Sequence, residues 1–215
     1  IVAASPILEA FGNAKTLRNP NSSRFGKWMT LNFNDNNRIC GSTIVSYLLE
    51  KGRVSSPSKG ERNYHVFYQL LRGMSKDILC NELGLTNEQC NTIHHRYLNG
   101  SFNGEEAPDL DDSVNYKEMS ESFKAMGFTS NEELEYYKLV IGILLLGNID
   151  FTPEDDGESS CVTDADKGIG DNVAALLGVD PHGLRSSLVS RTMSTGTRKS
   201  IVIRKLNVDA AASTR

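Results

Sequence analysis

The chain has 215 residues, of which 39% are hydrophobic and 23% are charged, a composition typical of a folded globular protein. Its 23 basic and 27 acidic residues give a net charge of −4, which argues against a general nucleic-acid or membrane-surface binder. The most apolar run, LVIGILLL at 139–146, is far shorter than the roughly 20 residues of a membrane-spanning helix and predicts a buried helix instead.

Four cysteines are spread along the chain, and none forms a CxxC pair or has zinc-finger spacing with a histidine. A chain of this length builds a core without cross-links, so reduced thiols in the cytosol are the expected state. The opening residues IVAASPILEAFG lack the pattern of a signal peptide and predict a chain that is cut at its start.

The first predicted helix begins at Ser5-Pro6, with Ser5 as the N-cap and Pro6 at the first helical position, and ends near Gly12 or Asn13. The Asn- and Ser-rich loop RNPNSSRFGKW follows. WMTLNF then alternates apolar and polar residues, NDNN predicts a turn, and RICGSTIVSYLL predicts a returning strand. These signals together predict a β-hairpin.

Helical patterns dominate the middle of the chain. NYHVFYQLLRG predicts a helix with one apolar stripe that ends at Gly73. Capping-box patterns at 86–89 and 130–133 predict two further helix starts, the second of which opens a helix that stops at Gly147.

The remaining segments are shorter. The stretch 99–113 predicts a polar surface loop, and TPEDDGESS at 152–160 predicts an acidic, flexible one. NVAALLGV and GLRSSLVSRTM predict two short helices, and SIVIRK predicts a strand followed by basic residues. One domain, or one piece of a larger domain, is the simplest account.

The loop after the first helix carries the residue types that a nucleoside triphosphate requires. Asn19 and Asn21 offer amide donors, Ser22 and Ser23 offer hydroxyls for Mg²⁺ or water, and Arg24 offers a fork for phosphate or carboxylate. By composition alone, such a loop is more often a plain turn before a strand. The chain also contains no GxxxxGK[ST] phosphate cradle, so these residues do not complete a nucleotide site by themselves.

The segment SPILEAFGNAKTLRNPNSSRFGK at 5–27 resembles the part of the myosin motor domain that ends in its switch I loop. Four later segments resemble the same family: YLLEKGRV, GERNYHVFYQLLRG, LGNIDF and IVIRKLNVDAA. The resemblance covers nearly the whole chain. It implies an α/β, P-loop NTPase-related motor fold, of which this piece is mostly α-helical with a short β-hairpin of the central sheet near its N-terminus.

The resemblance also implies a division of the chain. Residues 1–54 would contain switch I and two transducer strands, at 28–33 and about 39–48. Residues 55–215 would form most of the helical upper 50-kilodalton subdomain, with an actin-contacting loop near 195–205.

Residue roles carry over from the family by position. Asn19 matches the asparagine that contacts the nucleotide phosphates, and Ser22 matches the serine that binds near the lytic water and relays a proton. Ser23 matches the Mg²⁺ ligand. Arg24 matches the arginine that forms a salt bridge with the switch II glutamate and closes the site.

Other positions of the motif are less defined. Asn21 matches a further residue of the loop that is expected to bind the nucleotide, Lys27 matches the motif without an assigned contact, and Pro20 stands where many myosins carry Asn. The family resemblance leads us to expect the phosphate-binding loop before Ile1 and switch II after Arg215.

The stretch TGTRKSIVIRK at 195–205 resembles the surface loop at which myosins contact actin. Its basic residues Arg198, Lys199, Arg204 and Lys205 would attract the acidic actin filament in a salt-dependent way. Ser200 falls where myosins carry an acidic residue or a phosphorylatable one, and phosphorylation there would add roughly −1.5 to −2 charge units.

The resemblance implies an actin-activated motor that hydrolyses MgATP in the cytoplasm, associated with the cytoskeleton. Light chains or calmodulin would bind through a neck outside this chain, and neither nucleic acid nor direct membrane insertion is expected. Two alternatives stay open: a catalytically inactive myosin-like scaffold that binds actin, and a free-standing helical binding module with a coincidental loop. An intact phosphate-loop lysine and switch II glutamate would exclude the inactive scaffold.

Overall fold

The computed structural model describes residues 2–102, 107, 109–195 and 200–215. The chain forms two compact units, each made from two stretches: Ile1–Ser75 with Asn91–Ser130, and Lys76–Cys90 with Asn131–Arg215. The division at residue 54 stays a prediction. Among the helices of the described ranges, none has both the length and the apolar character that crossing a bilayer requires.

The first unit mixes helices with short strands, which in chain order are α1 (Ser5–Gly12), β1 (Asn13–Ala14), β2 (Ser22–Ser23), β3 (Gly26–Phe33), β4 (Ile39–Tyr47), α2 (Gly52–Ser55), α3 (His65–Gly73), α4 (Arg96–Phe102) and α5 (Asp112–Ala125). The position of α1 confirms the predicted helix, but the N-cap is Ala4, so the assignment of the cap to Ser5 is wrong. A 3₁₀ turn, Val2–Ala4, runs directly into α1, so the chain is already helical before Ser5.

Strands β3 and β4 form the predicted antiparallel hairpin, in a register that pairs Gly26 with Tyr47. The turn between them is fixed by Asn34, whose side-chain oxygen accepts hydrogen bonds from the backbone N–H groups of Asn36 and Arg38, both at 3.0 Å. Asn37 adopts a left-handed conformation with φ 56°. Asparagine tolerates that conformation, so the turn composition explains the hairpin.

The core of the first unit is the packing of α3 against α1 and α5. Leu70 and Met119 are completely buried there. Helix α3 ends at Gly73 as predicted, but His65–Leu71 are buried on every side, so the predicted single apolar stripe is too narrow. A Cβ at Gly73 would lie 2.3 Å from the Tyr116 Cβ, which shows how closely α3 approaches α5.

The second unit contains a π-helical turn (Ile78–Glu82), α6 (Ser130–Leu146), β5 (Phe151–Pro153), β6 (Ser160–Val162), α7 (Lys167–Leu177), α8 (Pro181–Val189), β7 (Ser190–Thr195), β8 (Ser200–Lys205) and α9 (Val208–Thr214). Helix α6 ends just before Gly147, as predicted, and its apolar run is buried through Ile141, Leu144 and Leu145. Gly142 lets α6 pack closely on α7, since a Cβ there would lie 2.8 Å from Leu177 Cδ2.

The capping box at Thr86–Gln89 forms, but the helix predicted to follow it does not. The Thr86 N–H donates to Gln89 Oε1 at 3.0 Å, and the Gln89 N–H donates to Thr86 Oγ at 3.2 Å. These bonds close one turn, which ends at Cys90, and the next regular element is a 3₁₀ turn at Thr92–His94.

Two predicted loops contain regular structure. The polar stretch 99–113 includes the end of α4 and the start of α5, where Asp111 caps the helix by accepting from the N–H groups of Ser113 and Val114. The acidic stretch 152–160 belongs to the β5–β6 hairpin, which pairs Phe151 with Val162. Cross-strand pairing, which the acidic composition does not reveal, orders this hairpin.

The second short helix was predicted too long. Helix α8 ends at Val189, and the residues from Ser190 onward form β7, which pairs with β8 in an antiparallel hairpin. The β-branched run of β8 confirms the predicted strand. The segment SRTM continues the helical pattern in the sequence, but in the structure it forms a strand because it pairs with β8.

Candidate functional site

A two-residue ladder holds the switch-I-like loop to the end of α1. Asn13 pairs with Ser23 and Ala14 pairs with Ser22, while the Arg24 N–H donates to the Gly12 carbonyl at 2.8 Å. Ala14 is completely buried and Asn13 nearly so. Backbone bonds therefore fix the path of the chain at 22–24, independently of the side chains that would do chemistry.

Inside the loop, Asn21 acts as a brace. Its Nδ2 donates to Glu9 Oε2 at 2.8 Å, and its Oδ1 accepts from Asn13 Nδ2 at 2.9 Å. Its backbone N–H donates to Asn19 Oδ1 at 2.9 Å. Both ends of the Asn21 amide are therefore engaged by residues of α1 and β1, whereas Asn19 uses its amide oxygen and remains exposed.

The two serines lie on opposite sides of β2, as successive strand residues do. Ser23 is exposed, and its Oγ donates to the Phe25 carbonyl at 3.0 Å, which leaves the oxygen lone pairs available. Ser22 is half-buried and lies on the same side as Arg24, whose Nη1 is 3.4 Å from Ser22 Oγ. Ser22 and Arg24 thus form one polar pair, and Ser23 faces elsewhere.

Arg24 is held by an acidic residue that the sequence interpretation did not single out. Its Nε donates to Glu50 Oε2 at 2.7 Å, and Arg53 Nε donates to the same oxygen at 2.7 Å. Burial works against ionisation of Glu50, but the hydrogen bonds from the two arginines outweigh it and hold the Glu50 pKa below its ordinary value. Both Glu50 and Arg53 fall within YLLEKGRV, the segment at 47–54.

Arg53 connects this cluster to the core. Its side chain is 1% exposed, with Nη1 donating to the Arg62 carbonyl at 2.9 Å and Nη2 donating to Glu61 Oε2 at 2.7 Å. The Glu50 backbone N–H in turn donates to the Arg24 carbonyl at 3.0 Å. The loop residue Arg24 is therefore tied to the buried interior through one shared carboxylate.

A second ionic cluster lies where α3 meets α5. Arg62 is fully buried, donates to both carboxylate oxygens of Asp112 at 3.0 and 2.8 Å, and lies 3.7 Å above the Tyr68 ring. Arg72 Nη1 donates to Asp112 Oδ2 at 2.8 Å. Burial and then the Arg62 charge lower the pKa of His65 to about 4, so His65 is neutral near pH 7. We interpret this cluster as structural support for α3.

The stretch that resembles an actin-contacting loop is mostly a β-hairpin in the described residues. Arg204 and Lys205 lie in β8 rather than in a loop, opposite Arg191 and Ser190, because the β-branched run pairs with β7. Lys205 Nζ contacts Glu154 Oε2 at 2.5 Å, and Arg204 is exposed.

Of the other three predicted residues of this region, the structure describes the backbone of Ser200 alone. The backbone of Ser200 pairs with Thr195 at the far end of the hairpin, about 13 Å along β8 from Arg204 at the usual strand rise. Arg198 and Lys199 lie outside the described residues.

Metal-ligand clustering gives no further candidate. Over the residues that the structure describes, no three His, Cys, Asp or Glu side chains converge as a metal site. The predicted metal ligand, Ser23, offers a hydroxyl oxygen, which suits Mg²⁺ when substrate phosphates and water supply the remaining ligands.

Comparison with known proteins identifies the family. The model of the myosin head (motor domain) matches residues 1–215. Myosin IA heavy chain of Dictyostelium discoideum is 42% identical over 196 residues, which is 91% of this chain and 19% of the relative. Unconventional myosin-VI of Homo sapiens is 36% identical over 244 residues, which is 100% of this chain and 18% of the relative.

A third relative gives the same result. A probable myosin heavy chain of Encephalitozoon cuniculi is 46% identical over 155 residues, or 72% of this chain and 9% of the relative. The chain spans about a fifth or less of the length of these relatives. The match over all 215 residues shows that the chain belongs to the myosin motor-domain family.

Proposed function

We propose that the protein is an actin-based motor that hydrolyses MgATP, and that this chain supplies switch I, two strands of the transducer and part of the actin interface. The observation that carries the proposal is the anchored loop at 18–28. Its backbone hydrogen bonds fix the positions of Ser22, Ser23 and Arg24 beside the end of α1. Family membership supports the motor activity, and the motif match supports the role of each residue.

The exposed side of the loop suits a metal-bound triphosphate. Bound MgATP supplies the γ-phosphoryl group and the cation that neutralises its developing charge. Asn19 is exposed, and its amide nitrogen donates to no other group within the described part of the chain, so it is available for a phosphate oxygen. The free lone pairs of Ser23 Oγ are available for the cation.

The opposite side of the loop suits control of water. Ser22 Oγ is positioned by Arg24 Nη1, and we assign Ser22 to hold the attacking water and relay its proton. We assign Arg24 to share its guanidinium with a switch II glutamate, which would close the site and exclude bulk water. Asn21 would then position the loop through Glu9 and Asn13, a role that its engaged amide favours over direct phosphate contact.

The β7–β8 hairpin is the proposed contribution to actin binding. Arg204 is exposed and positively charged, Arg198 and Lys199 add basic charge in the same stretch, and Lys205 is paired with Glu154. Charge of this sign favours encounter with an acidic filament and weakens with salt. Phosphorylation of Ser200 would change the local charge at the far end of the hairpin.

Substitution of Arg24 in the intact motor tests the proposal. We expect Arg24→Ala to lower actin-activated ATP turnover by about 10²–10³-fold, in the range seen when a preorganised electrostatic group is removed. Binding of a fluorescent ATP analogue should change little, because Arg24 acts in closure rather than in holding phosphates.

The matched control is Arg38→Ala, which removes an exposed arginine beside the hairpin turn and should leave turnover unchanged. Wild-type turnover in the Arg24 variant would refute the assigned role of switch I. If the unmodified protein binds actin but does not hydrolyse ATP, the inactive-scaffold alternative replaces the motor.

A further inference from the structure

Two cysteines ten positions apart bring their sulfur atoms together in the second unit. The Sγ atoms of Cys80 and Cys90 are 3.7 Å apart, and both thiols are free. We propose that Cys80 and Cys90 form a reversible intramolecular disulfide when the protein meets a hydroperoxide. The separation exceeds a disulfide bond length of about 2.05 Å by an amount that small side-chain rotations supply.

The backbone on both sides of the pair is already in place. Cys80 lies in the π-helical turn Ile78–Glu82, and the Cys90 N–H donates to the Thr86 carbonyl at 3.1 Å. The capping-box bonds between Thr86 and Gln89 close the same turn. The two sulfurs are therefore presented by ordered turns rather than by a loose connection.

The segment between the cysteines is also anchored. Leu79 and Leu83 are completely buried, and the Leu85 N–H donates to the Leu79 carbonyl at 3.0 Å. Asn172 on α7 donates to the Gly84 carbonyl at 3.0 Å. Gly84 has a left-handed φ of 67°, and a Cβ there would lie 2.7 Å from Asn172 Oδ1, so glycine is favoured at this turn. Folding has therefore already brought the two cysteines together, so forming the disulfide costs little further conformational entropy of the chain.

Different exposure gives the two thiols different roles. Cys80 is half-buried and reachable by a small oxidant, whereas Cys90 is 9% exposed. Burial and then the neighbouring Cys80 raise the pKa of the Cys90 thiol, so Cys90 keeps its proton. Cys80 is the sulfur that meets peroxide first, and Cys90 resolves the product.

The reaction balances in two steps. The Cys80 thiolate attacks one peroxide oxygen, the O–O bond breaks, and the departing hydroxide takes a proton from solvent, leaving water and a sulfenic acid. The Cys90 sulfur then attacks the Cys80 sulfur, the S–O bond breaks, and hydroxide leaves with the Cys90 proton as a second water. Two thiols thus reduce one hydroperoxide, and a dithiol reverses the bond by exchange.

The remaining cysteines serve as internal controls. Cys40 Sγ is 3.5 Å from the Asn32 carbonyl oxygen, and Cys161 Sγ is 3.5 Å from Thr152 Oγ1. Within the described residues, the sulfur atoms of Cys40 and Cys161 do not contact the sulfur of another cysteine. Peroxide should therefore form no internal disulfide at Cys40 or Cys161 under conditions that join Cys80 to Cys90.

Peptide mass mapping of the native, full-length protein tests the proposal. The protein is treated with hydrogen peroxide, its free thiols are alkylated, and it is digested with trypsin, which places both cysteines in the single peptide 77–96. We expect that peptide to lose two hydrogens and carry no alkyl group, and to regain two alkylation sites after reduction with a dithiol.

Two variants complete the design. Cys90→Ser should abolish the hydrogen loss and leave a Cys80 sulfenic acid that dimedone traps, whereas Cys161→Ser should retain the internal bond. Phenylarsine oxide, which bridges adjacent thiols, should protect both cysteines of the unmodified protein from alkylation. Independent alkylation of Cys80 and Cys90 after both treatments, or pairing of either with Cys40 or Cys161, would overturn the proposal.

Discussion

At the scale of single residues, the shared carboxylate of Glu50 determines how Arg24 is held. Two arginines donate to one oxygen of Glu50, and one of them, Arg53, is almost completely buried. Loss of the Glu50 charge would remove one partner from the buried Arg53 guanidinium, and an uncompensated buried charge is costly. The Glu50 charge therefore contributes more to stability than its own partial exposure suggests. Arg24 would therefore be preorganised in this chain by a residue of the neighbouring segment 47–54.

Replacement of this carboxylate by its neutral isostere tests that interpretation. We expect Glu50→Gln to lower the free energy of unfolding by about 1 kcal/mol, which is less than hydrogen bonds to charged groups usually contribute because Glu50 is partly exposed. Urea denaturation of the intact protein measures the change. The control Glu135→Gln, which removes the exposed partner of Lys138, should cost less than about 0.5 kcal/mol.

The pH dependence of this difference has a defined sign. The folded-state pKa of Glu50 is held below the ordinary value of 4.5, so its contribution is fully present above that value. The contribution is lost as pH falls through the lower folded-state pKa. Wild type and Glu50→Gln should therefore converge in stability under strongly acidic conditions, and a constant difference at all pH values would contradict the assignment.

At the scale of elements, short sequence patterns correctly predicted the turns and helix ends that local hydrogen bonds and backbone preferences determine. The hairpin turn and the ends of α1, α3 and α6 follow from Asn, Pro and Gly at suitable positions. The Thr86–Gln89 pair shows the limit, because its two bonds form without a helix behind them. The strand β7 forms by pairing with β8, and the sequence SRTM by itself does not indicate that pairing.

The candidate site shows the same limit. The motif at 18–28 identified Asn19, Ser22, Ser23 and Arg24, since these residues are adjacent in sequence. The Arg24–Glu50 and Arg62–Asp112 pairs join residues 26 and 50 positions apart, and neither pair has a spacing signal. The Cys80–Cys90 contact was likewise hidden, because ten positions match no known cysteine motif.

The contact between α3 and α5 gives a prediction at this scale. A Cβ at Gly73 would meet the Tyr116 Cβ at 2.3 Å, and rotation of the tyrosine cannot move that atom away. We expect Gly73→Ala to cost about 1–3 kcal/mol of stability, as overpacking of a close contact does. Chemical denaturation measures the loss.

The matched control is Gly168→Ala in α7, where a new Cβ would meet no atom within 4 Å. There the substitution should be neutral or stabilising by up to about 1 kcal/mol, since alanine favours the helix. Equal effects at the two positions would show that helix propensity, and not the approach of α5, determines the result at Gly73.

At the scale of the whole molecule, the β3–β4 hairpin is apolar and exposed. Trp28 is 68% exposed, Ile39 is 59% exposed and Leu48, just beyond β4, is 84% exposed. A two-stranded hairpin is marginal by itself, and apolar surface of this extent is typical of an interface. Both properties support the proposal that β3 and β4 join a larger sheet in the intact motor.

The same dependence on the intact motor predicts the behaviour of the isolated chain. Its loop offers exposed donors and hydroxyls, but the 215 residues contain no GxxxxGK[ST] sequence to cradle the phosphates. Electrostatic stabilisation requires donors on several sides of the γ-phosphoryl group at once, so one loop alone gives little. We expect the purified 215 residues to release no phosphate from ATP, with or without Mg²⁺, above the rate of the same chain carrying Arg24→Ala. Circular dichroism of both proteins would show that they are equally folded, and Mg²⁺-dependent release by the unmodified chain alone would mean that switch I catalyses without a cradle.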